Sequence, residues 1–169
     1  MEHRIVELEA GDVDLVEGLW KEMLAHHHEV GADDQPGRGA DESWRMRRAQ
    51  YVKWLESGEG MIFLVPGEGA EQAPLAYACL RVGSSGPTWD LGETVGDLES
   101  LSVATAARGT GIGTELIEHC RERLTQLGAR WWTVSVVAAN ARAAELYERE
   151  GFRPYVNFML APIREAPPT

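Results

Sequence analysis

The chain has 169 residues, 44% of them hydrophobic and 25% charged, a balance that fits one soluble globular domain and excludes wholesale disorder. With 16 Lys and Arg against 27 Asp and Glu, the formal charge is −11. Such a surface repels phosphate backbones and anionic lipid, which excludes nucleic-acid or membrane-surface binding as the primary role and favours cationic partners. No apolar run approaches the ~20 residues of a membrane span. The two cysteines, Cys79 and Cys120, sit in apolar patterns, read as buried free thiols and rule out a disulfide framework.

The patterning predicts one domain over residues 1–161, followed by a proline-containing tail over 162–169. Arg4 to Leu8 alternates as an edge strand. Asp12 to Glu29 reads as a helix with Val13, Val16, Leu19, Trp20, Met23 and Leu24 on one face. Gly31 to Ala40 is a loop. Asp41 to Glu56 reads as a second helix, with Trp44, Arg48, Tyr51, Val52 and Leu55 at helical spacing. Strands follow over Met61 to Val65, Pro74 to Val82 and Thr94 to Val103, the last with an irregularity expected around Glu99 and Ser100. After a loop, Gly111 to Leu127 is amphipathic through Ile112, Leu116, Cys120, Leu124 and Leu127, and Gly128 stands where a left-handed cap is favoured. Trp131 to Ala138 reads as a strand, Asn140 to Glu150 as a short helix and Tyr155 to Leu160 as a last strand. The order predicts a mixed α/β (α+β) sheet with helices packed on it.

The most informative stretch is Arg108-Gly109-Thr110-Gly111-Ile112-Gly113-Thr114, between a strand and a helix. The first N–H groups of a helix are unpaired and its N-terminal end carries roughly +0.5 of a charge. Glycines let backbone approach a ligand, so the combination is an anion cradle suited to a phosphate or pyrophosphate. It is not a nucleoside-triphosphatase loop, because Gly113 is followed by Thr114-Glu115 and not by Lys-Ser/Thr. It is not a dinucleotide fingerprint either. Counting six from Gly109 or Gly111 gives Thr114 or Leu116 where that pattern needs glycine.

The arrangement Arg-x-x-Gly-x-Gly after Leu101-Ser102-Val103, with the later block Asn140-Ala141-Arg142-Ala143-Ala144-Glu145-Leu146-Tyr147 running on to Gly151-Phe152, resembles the GNAT superfamily of N-acetyltransferases from about Asp97 to Phe152. The resemblance implies a mostly antiparallel sheet of about six to seven strands, splayed in the middle, with about four helices on its two faces. It implies acetyl-CoA as co-substrate and no metal. The pyrophosphate would lie on backbone N–H groups from Arg108 through Gly109, Thr110, Gly111, Ile112 and Gly113 to Thr114. The pantetheine arm would run along the strand backbone at Leu101, Ser102 and Val103, since its two amides match an open strand edge. Asn140 matches a coenzyme-contacting position, and also suits a helix N-cap.

The implied reaction is transfer of an acetyl group to a primary amine of a small molecule or peptide by direct attack in a ternary complex. Glu99 is the expected general base and Asp97 the second candidate. The two lie two residues apart and therefore on one sheet face, so either acid could serve, directly or through a water. Tyr147 matches the family tyrosine that protonates the departing thiolate. A carbonyl oxyanion would meet a strand N–H near Val103. A catalytically silent acyl-CoA-binding module is the alternative, and a longer acyl donor or a hydroxyl acceptor would share the same loop. The acidic composition points to a cationic acceptor, and relatives of this kind that pair through C-terminal strands imply a homodimer. The N-terminus lacks an apolar secretory core, so the cytoplasm is the expected compartment. His26, His27 and His28 fan over three helical directions and form no metal tract, though one of them, with Asp33, Asp34, Asp41 or Glu42, could touch the acceptor.

Overall fold

The computed structural model describes residues 3–32, 35–67 and 72–163. Five strands lie side by side in chain order: β1 (Val6–Glu7), β2 (Gly60–Val65), β3 (Ala76–Gly83), β4 (Val95–Val103) and β5 (Trp131–Val134). The first four pair antiparallel, and β5 runs parallel to β4. Four helices pack on the sheet: α1 (Glu17–Val30), α2 (Ala40–Ser57), α3 (Ile112–Gln126) and α4 (Ala141–Arg149). The parallel pair needs a crossover, and α3 supplies it.

Each face of the sheet carries its own core. On one, Leu19, Trp20, Trp44 and Tyr51 from α1 and α2 cover Ile62, Leu64, Tyr77 and Cys79. On the other, Leu116, Ile117, Cys120 and Leu124 from α3 and Tyr147 from α4 cover Phe63, Val65, Ala78, Leu80 and Leu98. A strand covered on both sides needs no polar alternation, which is why Met61 to Val65 reads as an unbroken apolar run. Both cysteines are buried free thiols, as expected. Gly128 closes α3 in the left-handed region, with φ +80°. Among the described residues no helix is long and apolar enough to cross a membrane.

Three elements depart from the sequence pattern. The first expected helix is divided, Ala10–Val16 forming a 3-10 turn before α1. In that tighter winding side chains three apart eclipse, and it stacks Val13 and Val16 into the core at 0% exposure. β5 ends at Val134, short of Ala138. The expected strand Tyr155 to Leu160 has no ladder partner, and Phe158 and Met159 are 92% and 96% exposed. The sheet therefore has five strands rather than six or seven. Propensity alone does not make a strand; an edge must be present to receive it.

The expected irregularity in β4 is a β-bulge. Cys79 faces Ser100 while the next residue of β3, Leu80, faces Leu98, so Glu99 is the extra residue. A bulge bends its strand and tightens the local twist. Here it also shifts the alternation. Leu98 and Leu101 both join the core under α3, while Ser100 and Ser102 turn toward the α1/α2 side. Buried hydroxyls hold this geometry. Tyr51 Oη donates to Ser100 Oγ at 2.8 Å and lies 3.1 Å from Tyr77 Oη, and Ser102 Oγ donates to the Leu19 carbonyl at 2.9 Å. Replacing Tyr51 with Phe leaves Ser100 and Tyr77 short of a partner where water does not reach. A loss of about 1–3 kcal/mol in unfolding free energy is expected. It would be read as a lower urea midpoint with an unchanged slope.

Candidate active site

Parallel pairing of β4 with β5 covers only Val95–Leu98 against Trp131–Val134. Past the bulge the two strands part. Glu99 to Val103 on one side and Val134 to Val137 on the other line a cleft of about 740 Å³, within the range of ligand sites. β4 thus continues for five residues with no strand on this edge, leaving backbone groups free to pair with an extended ligand.

The cleft runs to the N-terminus of α3. Among the described residues, none of the backbone N–H groups from Gly109 to Thr114 has an intramolecular acceptor, the first helical bond being Glu115 N–H to the Gly111 carbonyl. No side chain caps the helix. Gly109 and Gly111 have φ of +80° and +93°, the left-handed conformation that L side chains resist, and open space lies where their β-carbons would be. Side chains fix the loop from behind. Thr110 Oγ1 donates to the Ala107 carbonyl at 2.7 Å, and Arg108 Nε donates to the Val103 carbonyl at 3.1 Å. Glu22 of α1 accepts from Thr105 N–H at 2.8 Å. Arg108, Arg142 and Arg149 line the cleft, and Arg108 Nη2 lies 3.6 Å from Glu22 Oε1.

Of the cradle residues expected from the sequence, Arg108, Gly109, Gly111, Ile112, Gly113 and Thr114 line the cleft, as do Leu101, Ser102, Val103 and Asn140. Thr110 does not; its hydroxyl shapes the turn. The Ser102 side chain points away to α1, and the Ile112 side chain is 2% exposed in the core, so both face the cleft chiefly through backbone. Asn140 is an N-cap: its Oδ1 accepts from Ala143 N–H at 3.1 Å.

Tyr147 lines the same cleft. Its ring meets Phe152 edge-on, with centroids 5.6 Å apart, and its hydroxyl has no partner among the described residues. Burial, with Cys120 adding a little, pushes its pKa up to about 12, so the phenol keeps its proton.

Asp97 and Glu99 share the α2 side of the sheet. Glu99 Oε1 accepts from Arg47 Nη1 at 2.6 Å, and both side chains line or border the cleft at 21% and 18% exposure. Asp97 lies further from the cleft. It accepts from Thr133 Oγ1 at 2.9 Å and sits across from Arg81. Burial raises the Asp97 pKa; the Thr133 hydrogen bond opposes this and the neighbouring Glu99 carboxylate reinforces it. The two acids thus differ in setting, and only Glu99 reaches the cleft.

Arg47 was not singled out by the sequence pattern. Trp44, Arg47, Tyr51 and Trp54 fall at one helical stripe, and a cation on that stripe was the available signal. Arg48, read there instead, points outward to Asp14 at 2.6 Å. Asp41 and Glu42 pair with Lys21 and Arg38 at the surface and do not line the cleft; Asp33 and Asp34 lie outside the described residues. Of the three histidines, His26 and His27 line the cleft. Among the described residues no group of His, Cys, Asp and Glu is placed to hold a metal ion.

Solved structures share this architecture. A GCN5-related N-acetyltransferase from Ralstonia eutropha JMP134 superposes with a TM-score of 0.72 at 20% identity, over 95% of this chain and 97% of that one. A protein from Clostridium acetobutylicum described as a predicted acetyltransferase, solved with acetyl-CoA, gives 0.71 at 12% identity over 94% and 95%. The aminoglycoside N-acetyltransferase AAC(6')-Iy in complex with CoA gives 0.70 at 16% identity over 95% and 94%. No curated protein matches the sequence. The family model described as the acetyltransferase (GNAT) family matches residues 21–152, most of the chain, and the bulged, parted strand with its glycine cradle belongs to a member of that family.

Proposed function

We propose that the chain transfers an acetyl group from acetyl-CoA to a primary amine in a ternary complex. The observation that carries this reading is the continuous track from the unpaired edge of β4 to the acceptor-free amides of Gly109–Thr114. A pantetheine arm has amides for the first and a pyrophosphate for the second. The coenzymes bound by the C. acetobutylicum protein and by AAC(6')-Iy support the assignment.

The chemistry then falls to a few groups. An amine of pKa ~10.4 is neutral only to the extent of about 10⁻³·⁴ at pH 7, a penalty of about 4.6 kcal/mol. Glu99, the one carboxylate at the cleft among the described residues, takes the proton, directly or through a water. The nitrogen lone pair forms the N–C bond, a backbone N–H near Val103 holds the carbonyl oxygen as it becomes an oxyanion, and the C–S bond breaks. Tyr147 donates to the departing sulfur. A phenol of pKa about 12 facing a thiol of ~8.5 would make full proton transfer uphill by roughly 5 kcal/mol. Tyr147 therefore acts as a hydrogen-bond donor to the thiolate while the C–S bond stretches, and the final proton comes from solvent. Asn140 lines the cleft as the N-cap that fixes the start of α4.

The alternative, a chain that holds acyl-CoA without turnover, differs in outcome: it binds acetyl-CoA and releases no thiol with any amine. A longer acyl donor would show as faster thiol release from that donor. Two buried free thiols fit a reducing compartment, and we place the protein in the cytoplasm on that basis. We further propose a homodimer in which the exposed run Tyr155–Leu160 of each copy lies along the outer edge of β5 of the other.

Gly111→Ala forces a β-carbon onto a φ of +93° and into the cradle. Titration calorimetry should show acetyl-CoA affinity reduced at least ~10-fold, the cost of a left-handed alanine alone being about 1–2 kcal/mol. Wild-type affinity for the variant would remove the cradle assignment. Tyr147→Phe should lower kcat by roughly 10²-fold, the low end for removing one transition-state hydrogen-bond donor, with the KM for acetyl-CoA little changed. Because the phenol stays protonated to about pH 12, the wild-type kcat should show no alkaline fall from this residue up to pH ~10. Sedimentation should give the mass of two chains, and Phe158→Asp with Met159→Asp the mass of one.

A further inference from the structure

The charges along the cleft do not match those of the chain. Against a net charge of −11, the described residues lining the cleft include four arginines, Arg47, Arg108, Arg142 and Arg149, and one carboxylate, Glu99. Arg108 is on the glycine loop and Arg142 and Arg149 are on α4. Arg47 is on α2, beside Trp20 and Glu99.

Arg47 is held in an unusual way for an arginine at a cleft. Its guanidinium carbon lies 4.6 Å from the Trp20 ring centroid, 5.5 Å from Tyr51 and 5.6 Å from Trp54. Aromatic faces attract a cation without cancelling its charge. A guanidinium has five N–H donors, and among the described residues Arg47 uses one, on Glu99. The unused donors are not sealed in the core, since no Arg47 nitrogen is among the buried side-chain atoms without a partner. The result is a fixed, charged fork with free donors, beside the carboxylate expected to receive the amine's proton.

From this geometry, and resting on the acetyl-transfer reading above, we infer that the acceptor carries a carboxylate close to its amine, as in an α-amino acid, and that Arg47 reads that carboxylate. The guanidinium fork matches a carboxylate in a bidentate way that no lysine reproduces. Nη1 and Glu99 Oε1 are 2.6 Å apart, so the points that receive the carboxylate and the amine are adjacent, and the two groups must be near neighbours in the acceptor. The acceptor's carboxylate competes with Glu99 for Arg47. As it draws the guanidinium to itself, the Glu99 oxygen engaged by Nη1 is released to accept the proton from the attacking nitrogen. An acceptor without the anionic group leaves Arg47 on Glu99 and the base still engaged. A polycation fares worse, with like charge ahead of it and one carboxylate already paired.

The test measures thiol release at saturating acetyl-CoA with matched pairs: each of a panel of α-amino acids against its decarboxylated amine and its amide. For the pairs that turn over, wild-type kcat/KM should favour the carboxylate form at least ten-fold, carried mainly by the acceptor KM. Arg47→Gln should bring the ratio toward one, and Arg47→Lys, which keeps the charge and loses the fork, should fall between. Thermal unfolding with and without acetyl-CoA verifies that each variant is folded and holds the coenzyme. Equal or better use of the decarboxylated amine or the amide by wild type, or a loss in Arg47→Gln of the same factor for both members of a pair, overturns the inference and leaves acetyl transfer standing. Acetyl-CoA binding without turnover of any compound in the panel overturns both.

Discussion

One extra residue in one strand decides what this fold can bind. The bulge at Glu99 bends β4 away from β5, and without it the parallel ladder would continue past Leu98 and close the cleft. A bulge in the middle of a sheet sacrifices ladder hydrogen bonds and persists only when its surroundings favour the bent form. Those surroundings are two buried tyrosines and a serine. Burial keeps both the Tyr51 and Tyr77 hydroxyls protonated, and they bond each other and Ser100 where no water competes. The same hydroxyl cluster that stabilises one core therefore opens the other side of the strand to a ligand. Stability and site are coupled through Ser100, one residue from the proposed base.

The second half of the chain was more legible than the first, for a physical reason. The glycine loop and α3 carry local signals: alternating glycines, an apolar stripe at period 3.6 and a left-handed stop at Gly128. Even the bulge left a trace, because Glu99-Ser100 interrupts an otherwise alternating strand. Arg47 was missed because its meaning is not local. Along α2, Arg47 and Arg48 are both plausible surface cations, and only the packing of three aromatic rings distinguishes the buried one from the one paired with Asp14. The missing sixth strand is the converse case. Tyr155 to Leu160 has every local mark of a strand, yet pairing is a property of two segments, and within one chain the segment meets no edge.

Net charge was a poor guide to the site. The acidic total is dispersed over exposed side chains, several of them in surface pairs such as Lys21–Asp41 and Arg38–Glu42. Exposed charges are screened within about 8–10 Å at ordinary ionic strength. A group inside the cleft responds to its few nearest neighbours instead, and those are mostly arginines. The global field can still act at a distance, slowing the approach of the polyanionic coenzyme, while the local arginines and helix dipole hold it once it arrives.

The two ends of the cleft hold positive charge by different means, and the difference has consequences. At the coenzyme end the charge is spread over backbone dipoles and several arginines, Arg108 being held by the Val103 carbonyl and Glu22, and the expected ligand is phosphate, with several oxygens and tolerance for small displacements. At the other end one guanidinium is pinned by neutral rings. Had the cage been built from carboxylates, the arginine would be equally fixed but electrically spent, and an incoming anion would meet no net field. Rings supply position without neutralisation. Glu99 is the single exception, and it contacts one nitrogen of the fork. That leaves the arrangement able to exchange one carboxylate for another with little movement of the helix, which is the property a site needs if occupancy by the correct partner is to set the base free.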